Sequence, residues 1–231
     1  MTHRRRHGYL TGPLVIEKDH QRIDLRASVW SGPTGTPANP ISIVAHDAKF
    51  ILLVEKQHTF DRLIEHGFHR TNPCVLASGG GCPGRSFHAV LRHLHDALNI
   101  PFYVLTDGDP AGYVLFFLIA RGTARRNAIP NAALAIPDAR FLGLRAGDCE
   151  RLKIPECVYM CLNDEEIEKL EHLEASPWLR EGQAWRREFD EMRAHGFKVE
   201  LEALIAFSKS YLAQSYLPER LAAGDYLRLP S

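Results

Sequence analysis

A short apolar run that ends in two closely spaced carboxylates constrains this chain more than any other feature. Residues Phe102–Gly112 read FYVLTDGDPAG, with one glycine between Asp107 and Asp109. Such a run is typical of a buried strand in a parallel sheet, and open α/β sheets place their chemistry at the carboxyl ends of these strands. Because Gly108 and Pro110 favour a turn, both carboxylates are expected to point out of the sheet edge toward a common ligand.

Two acids in such a position repel each other unless a proton or a cation lies between them. Mg²⁺ suits the pair, since it retains several waters and takes only one or two protein carboxylates. The alternative is an aspartate-rich turn or helix cap, because Asp and Gly are common turn residues. The motif alone leaves both interpretations open.

A second strand-like segment also ends in an acid. Phe50–Lys56 reads FILLVEK, with Glu55 near its end, and a helical pattern follows it. Strands and helices alternate along this part of the chain, and consecutive elements tend to lie side by side. If the two strands are neighbours, Glu55, Asp107 and Asp109 form a site of three carboxylates.

This acidic pattern resembles that of the Toprim fold, which occurs in topoisomerases, primases and some nucleases. Further segments are similar to the A subunit of topoisomerase VI and its meiotic double-strand-break relatives, in the same order. They are Asp47–Phe68, Ile100–Gly112, Ala135–Leu144, Ala184–Met192, Phe197–Leu204 and Tyr216–Leu221, together with an N-terminal match over His7–Asp24. The resemblance covers almost the whole chain.

The resemblance implies an α/β fold of the Toprim type, with a mainly parallel sheet flanked by helices. We expect an N-terminal β-rich arm and connector in residues 1–45, a Toprim core in 46–150 and a helical C-terminal extension of the same domain in 151–231. The resemblance also implies DNA as the substrate, a homodimer, and an ATPase subunit of the B type as a partner.

Relatives in this family cleave DNA by transesterification, with a tyrosine of a preceding winged-helix domain as the nucleophile. The present sequence begins close to where that domain ends, so the tyrosine is expected to be supplied elsewhere or to be absent. If the three acids converge, Glu55 and Asp107 are expected to hold Mg²⁺, with Asp109 as a direct or water-mediated ligand. The ion would stabilise charge at the scissile phosphate, and Glu55 would also act as an acid and base.

Basic residues near the acidic segments are candidates for DNA contacts. Lys56 and Arg85 are expected to meet phosphates, and Arg121, Arg125 and Arg126 follow the helix that begins after the acidic turn. The alternative for these last three is a solvated helix end, where arginine also interacts favourably with the helix dipole.

The glycine-rich loop Ser78–Gly84 reads SGGGCPG and resembles a family loop that runs Gly-Lys-Gly-Tyr-Pro-Asp and leads to an arginine. Here Gly80 stands for the lysine, Cys82 for the tyrosine and Gly84 for the aspartate, and His88 stands for the arginine. The lost positive charges should weaken phosphate contacts nearby. The loop also lacks the Lys–Ser/Thr pair of nucleotide-binding loops.

Composition agrees with a globular enzyme domain. The chain has 231 residues and a formal net charge of zero, with 45% hydrophobic and 24% charged residues. It has no apolar run of membrane-spanning length and no signal-peptide pattern, which predicts an intracellular location in the cytoplasm, nucleoid or nucleus and no membrane partner. Five cysteines without a CxxC pair predict reduced thiols and no zinc site.

Periodicity predicts the remaining elements. Helices are expected at Ser86–Leu98, Asp164–Leu173, Gly182–Ala194 and Val199–Tyr211, and strands at Tyr9–Glu17, Arg22–Val29, Val75–Ala77 and Ala139–Leu144. Packing positions are expected for the aromatic residues Tyr103, Tyr211, Tyr216, Trp178 and Trp185. Lys198 matches a basic family position, but its acidic neighbours Glu200 and Glu202 indicate an ordinary helix surface with alternating charge.

Three functional hypotheses remain at this stage. The first is the metal-binding half of a topoisomerase VI-type cleavage enzyme whose nucleophile lies elsewhere. The second is a Toprim nuclease in which metal-activated water replaces the tyrosine, so that cleavage leaves no covalent adduct. The third is a silent DNA-binding or dimerisation module, in which neither Glu55→Ala nor Asp107→Ala changes activity.

Overall fold

The computed structural model describes residues 7–33, 41–122, 133–176, 179 and 181–230. They belong to two units, residues 1–104 and residues 105–231, and buried apolar side chains occur in both. The sequence-predicted Arg125, Arg126 and Trp178 lie outside the described residues.

Strands dominate the first unit. They are β1 (His7–Thr11), β2 (Leu14–Lys18), β3 (Gln21–Asp24), β4 (Trp30–Pro33), β5 (Ser42–His46), β6 (Phe50–Val54), β7 (Cys74–Ser78) and β8 (Phe102–Leu105), whose last residue begins the second unit. The helices of the first unit are α1 (Gln57–Glu65), α2 (Phe68–Thr71) and α3 (Arg85–Leu98).

A mixed sheet with strand order β4-β1-β7-β6-β8 forms the centre of the first unit. β6 and β7 run parallel, with Phe50 opposite Cys74 and Val54 opposite Ser78, whereas β1 is antiparallel to both β7 and β4. Every residue of β7 is buried, as expected of a parallel strand covered on both faces. A separate three-stranded sheet has the order β3-β2-β5. The predicted α/β class, with parallel strands flanked by helices, is confirmed.

The single strand predicted for Tyr9–Glu17 is wrong, because the chain breaks it at Gly12 into β1 and β2. Gly12 has a φ of +124°, a conformation that residues with a side chain rarely adopt. A Cβ atom at this position would lie 2.2 Å from the carbonyl oxygen of Cys74, at the start of β7. Only glycine fits this approach between two backbones.

The longer helices of the first unit each bury one face. α1 buries Phe60 and Leu63, and α3 buries Phe87, Leu91 and Leu94 together with the last residue of the helix. The helix predicted from the apolar stripe of α3 is confirmed to within one residue. This spacing of three and four residues is what places the apolar side chains on a single face.

Helices dominate the second unit. They are α4 (Pro110–Arg121), α5 (Ala146–Leu152), α6 (Asp164–Glu174), α7 (Gln183–His195) and α8 (Leu217–Ala223). The unit also has four short strands among its described residues: β9 (Arg140–Phe141) pairs with β12 (Leu227–Arg228), and β10 (Met160–Cys161) pairs with β11 (Phe197–Lys198), both antiparallel. The strand predicted at Ala139–Leu144 is therefore only two residues long.

An aromatic cluster fills the core of the second unit. α4 is buried over most of its surface and contributes three of the rings. The cluster consists of Tyr113, Phe116, Phe117, Phe141, Trp185 and Phe189. The ring of Trp185 stacks on that of Phe116 with centroids 5.1 Å apart, and its Nε1 donates to the Arg228 carbonyl at 2.9 Å. The predicted packing role of Trp185 is confirmed.

The helix predicted at Val199–Tyr211 is wrong. The chain instead forms a 3₁₀ helix over Leu201–Ala206 and then a π-helical turn over Leu212–Tyr216, directly before α8. Val199 exchanges backbone hydrogen bonds with Gly108, which removes it from any helix. Pro218 near the start of α8 lacks an amide hydrogen and favours irregular helical bonding in the preceding turn.

None of the helices within the described ranges has the length and apolar character that a membrane span requires.

Candidate functional site

The DGD motif forms a buried turn directly after β8, in the second unit. Asp107 is 3% exposed, and its Oδ1 accepts a hydrogen bond from the Leu201 amide at 2.9 Å. Gly108 donates to the Val199 carbonyl at 2.9 Å, and Val199 donates back to Gly108 at 3.1 Å. Three backbone contacts from one distant segment therefore fix this turn, which we call the acidic turn (Asp107–Asp109).

Asp109 is the N-cap residue of α4. Its Oδ1 accepts a hydrogen bond from the Gly112 amide at 2.6 Å, and Pro110 occupies the first turn of the helix, where its missing amide hydrogen costs nothing. The interpretation of the motif as a turn and helix cap is thus confirmed for Asp109. A carboxylate has two oxygens and about four acceptor sites, so capping does not use up its capacity to bind a cation.

Thr106 and two glycines support the acidic turn, and sequence reasoning missed all three. The Thr106 hydroxyl donates to the Asp107 carbonyl at 3.0 Å. A Cβ atom on Gly112 would lie 2.5 Å from Thr106 Oγ1, and one on Gly143 would lie 2.7 Å from the Thr106 carbonyl. Gly112 in the DPAG segment could have indicated a close contact at this position, because it stands in the first turn of a helix, where glycine is otherwise unfavourable.

Glu55 follows β6 in the first unit and lies next to the glycine-rich loop. Its carbonyl oxygen accepts a hydrogen bond from the Gly81 amide at 2.8 Å, and the Glu55 side chain is half-buried. Because β6 and β7 are parallel and Val54 pairs with Ser78, Glu55 and the loop emerge at the same sheet edge. Gly80 and Gly81 both have positive φ values, +62° and +112°, which suit glycine.

Three of the predicted DNA-contact residues fall within the described ranges. Lys56 is the half-buried residue before α1, and Arg85 is the exposed first residue of α3. Both belong to the first unit, near the loop that follows β7. Arg121 is the half-buried last residue of α4 in the second unit. The positions of Arg125 and Arg126 stay predictions.

The structure brings Asp107 and Asp109 together on one turn, whereas Glu55 belongs to the other unit, so the site of three carboxylates stays a prediction. Among the described residues, no group of three or more His, Cys, Asp or Glu side chains is arranged to hold a metal ion. The donor chemistry of the acidic turn nevertheless fits Mg²⁺, which prefers oxygen ligands and needs only one or two carboxylates besides water and phosphate.

Tyr216 is a packing residue, as predicted, and belongs to a buried polar network. Its hydroxyl donates to Asp148 Oδ2 at 2.9 Å, and Arg220 Nη1 donates to the same oxygen at 2.6 Å. Burial raises the pKa of Tyr216 far above its usual value. Burial would also raise the pKa of Asp148, but the Arg220 guanidinium and further donors outweigh it and lower that pKa.

Tyr113 and Glu188 form a second buried polar pair. The Tyr113 hydroxyl donates to Glu188 Oε1 at 2.5 Å, and the Ala146 amide donates to the same oxygen at 2.7 Å. Burial and the neighbouring carboxylate raise the pKa of Tyr113 well above its usual value. A tyrosine that is this hard to ionise and this enclosed is structural rather than nucleophilic.

Lys198 does not lie on a helix surface, so that prediction is wrong. It is the second residue of β11, and its ammonium group pairs with Glu166 Oε1 at the start of α6. Of the acidic neighbours that suggested alternating helical charge, Glu200 precedes the 3₁₀ helix that follows β11, and Glu202 lies in its first turn. Sequence periodicity could not show this, because the pairing joins residues 32 positions apart.

Comparison with known proteins gives a consistent match. The family model for the Toprim domain of Spo11 and the A subunit of topoisomerase 6 matches residues 50–221. The meiotic recombination protein SPO11 of Mus musculus is 31% identical over 222 residues, which cover 95% of this chain and 56% of the mouse protein. The A subunit of type 2 DNA topoisomerase 6 from Archaeoglobus fulgidus is 33% identical over 217 residues, which cover 91% of this chain and 59% of the archaeal protein.

The A3 subunit of DNA topoisomerase 6 from Oryza sativa subsp. indica is 30% identical, over 95% of this chain and 50% of its own length. The chain thus spans roughly half the length of the curated relatives it matches. The matched segment contains β6, the glycine-rich loop, the acidic turn and most of α8, which are the parts that carry the candidate site and its supporting network. The chain belongs, through its Toprim domain, to the family that comprises Spo11 and the A subunit of topoisomerase 6.

Proposed function

We propose that this chain is the metal-binding Toprim module of a protein that cleaves both strands of DNA by transesterification. The acidic turn carries the proposal, since it presents two carboxylates after a buried strand and is held by contacts that a simple surface turn does not need. Family membership supports DNA as the substrate. The nucleophilic tyrosine is proposed to come from a separate winged-helix segment.

Within this proposal, Asp107 and Asp109 hold Mg²⁺ together with Glu55. When bound, the ion supplies positive charge that stabilises the scissile phosphate and the leaving 3′ oxygen. The carboxylate of Asp107 is already oriented for metal binding, because the Leu201 amide fixes one of its oxygens. Asp109 is oriented in the same way by the helix that it caps. Glu55 serves in addition as the acid that gives a proton to the leaving 3′ oxygen and, when the strand is rejoined, as the base that takes it back.

DNA contacts are proposed for the basic residues near these acids. Lys56 and Arg85 neutralise phosphates beside the glycine-rich loop, and Arg121, Arg125 and Arg126 neutralise further phosphates of the DNA backbone. Because the net charge of the chain is zero, such local groups have to supply the attraction for DNA. We further propose that the chain acts as a homodimer with an ATPase subunit of the B type.

Magnesium binding by the chain tests the proposal directly. We expect Asp107→Asn to weaken Mg²⁺ binding, measured by titration calorimetry, by about tenfold or more, the range typical when a ligand or its support is lost. The asparagine still offers an oxygen to the Leu201 amide, so the turn is retained while the charge is removed. Asp138→Asn, at an exposed position of the second unit, is the matched control and should leave Mg²⁺ affinity unchanged.

Equal affinity in the wild type and Asp107→Asn would refute the metal site. A separate experiment, in which the chain is incubated with supercoiled DNA and Mg²⁺, distinguishes the possible types of DNA chemistry. Mg²⁺-dependent cleavage without a protein–DNA adduct would replace the proposal with the water-dependent nuclease. DNA binding that is unaffected by both Mg²⁺ and Asp107→Asn would replace it with the silent module.

A further inference from the structure

One segment of the second unit makes the backbone contacts that fix the acidic turn. Val199 bonds Gly108 through both its amide and its carbonyl, and the Leu201 amide bonds Asp107 Oδ1 at 2.9 Å. Gly108 and Val199 form an isolated antiparallel bridge rather than part of a longer ladder. An isolated bridge gains little from its neighbours, so its position depends on what holds the segment on its other side.

The contacts of Lys198 help to fix the part of the chain just before Val199. Lys198 precedes Val199 directly and lies opposite Met160 in the two-stranded ribbon of β10 and β11. Its ammonium group donates to Glu166 Oε1, and the side chains of Lys198 and Glu166 are only 20% and 11% exposed. A ribbon of two residue pairs is too short to be stable alone, so side-chain contacts, this ion pair and the stacking of the neighbouring Phe197 ring among them, help to fix where Val199 lies.

Glu166 is itself fixed by its place in the first turn of α6. Its Oε2 accepts a hydrogen bond from the Asn163 amide at 3.2 Å, and its own amide donates to Asn163 Oδ1 at 2.9 Å, which together make a capping box on α6. One carboxylate oxygen therefore serves the helix and the other serves Lys198. The start of α6 is connected in this way to the segment that holds the acidic turn.

We propose that Lys198 and Glu166 are positioning residues for the acidic turn, and that their ion pair sets the affinity of the turn for a divalent cation. The inference rests on the proposed function and deepens it. Lys198 touches neither aspartate in this scheme and acts only through Val199 and Leu201. The effect belongs to the same class as the outer contacts that orient metal ligands in other proteins.

Lys198→Met tests the proposal, because it removes the charge and keeps most of the length of the side chain. We expect Mg²⁺ affinity to fall by about tenfold, the lower end of what lost ligand support costs, with unchanged stoichiometry. Glu166→Gln should give the same loss, and the double variant no more than either single variant, since both remove one interaction. Lys198→Arg keeps the charge and should restore most of the affinity.

Lys169→Met is the matched control. Lys169 pairs with Glu165 at 2.9 Å on the exposed face of the same helix, without contact to the ribbon in this pairing. Its replacement should leave Mg²⁺ affinity as in the wild type. The melting temperature of the Lys198→Met chain should fall by no more than about 4 °C, the shift typical of one modest interaction in a protein of this size.

Amide hydrogen exchange without metal separates this inference from the proposed function. Lys198→Met should speed exchange at the Gly108 and Leu201 amides at least about tenfold, since local opening becomes easier, and Lys169→Met should not. Faster exchange together with weaker Mg²⁺ binding supports the inference. Unchanged exchange and affinity in a folded Lys198→Met chain overturn it. A wild-type chain that binds no Mg²⁺ refutes the affinity claim and the proposed function together, whereas the exchange result then still decides whether the pair positions the turn.

Discussion

Asp109 combines two demands that a single residue rarely meets. As the N-cap of α4 it must offer an oxygen to a backbone amide, and as a proposed ligand it must offer negative charge to a cation. The cap needs only the oxygen, whereas the ligand needs the charge. The two roles can therefore be separated by residues that supply one property without the other.

We predict that Asp109→Asn leaves the free energy of unfolding almost unchanged, because asparagine is as good an N-cap as aspartate. Asp109→Ala should lower it by about 1 kcal/mol, the usual cost of a lost cap. Both variants should weaken Mg²⁺ binding. Urea unfolding and calorimetry measure the two effects independently. A stability loss in Asp109→Asn as large as that in Asp109→Ala would mean that the charge, rather than the cap, stabilises α4.

At the scale of elements, the chain after β1 passes unusually close to the backbone at the start of β7. We predict that Gly12→Ala lowers the free energy of unfolding by about 3 kcal/mol or more, because a strained φ and a steric overlap add together. Gly67→Ala is the control: its φ is +67° but open space surrounds the added carbon, so about 1 kcal/mol is expected. Chemical denaturation measures both. Equal losses at the two positions would show that the approach to Cys74 is not limiting.

Elements whose pattern is local could be predicted from the sequence. The strands that became β6 and β7, and the helices that became α3, α6 and α7, follow from apolar spacing alone. The segment after β11 could not, because its conformation depends on partners far along the chain: Val199 bonds Gly108, and Lys198 pairs with Glu166. The turn that places Asp107 and Asp109 after a buried strand was predictable from such a local pattern, whereas the distant backbone contacts that fix this turn were not.

At the scale of the whole molecule, buried ionisable groups are unevenly distributed. Among the described residues, the buried carboxylates and the buried guanidinium all belong to the second unit. They are Asp107, Asp148, Glu166, Glu188 and Arg220. The first unit buries two histidines, His69 and His88, and the thiol of Cys74, whose pKa burial raises. The response of stability to acid and base should therefore arise mainly in the second unit.

Two of these carboxylates make the stability of the fold depend on pH in opposite directions. The pKa of Asp148 is lowered, because Arg220 and other donors outweigh the effect of burial. Asp148 therefore adds to the stability of the folded state above its unfolded-state pKa, and this contribution is lost as the pH falls through the folded-state pKa. The pKa of Glu188 is raised by burial, which outweighs the donors Tyr113 and Ala146 and the Arg145 charge, while Asp148 raises it further. The contribution of Glu188 to the stability of the folded state is therefore present below about pH 4.5, the usual glutamate pKa, and is lost as the pH rises through the folded-state pKa.

Glu188→Gln isolates the second effect, since glutamine keeps an oxygen for both donors and cannot ionise. We predict that the variant gains stability relative to the wild type as the pH rises from about 4 to 8, by about 1.4 kcal/mol for each unit by which folding raises the glutamate pKa. Urea unfolding at several pH values measures the difference. A difference that does not change with pH would show that burial does not disfavour the charged form of Glu188. A difference that changes in the opposite sense would show that Tyr113 and Ala146 stabilise the charge more than burial opposes it.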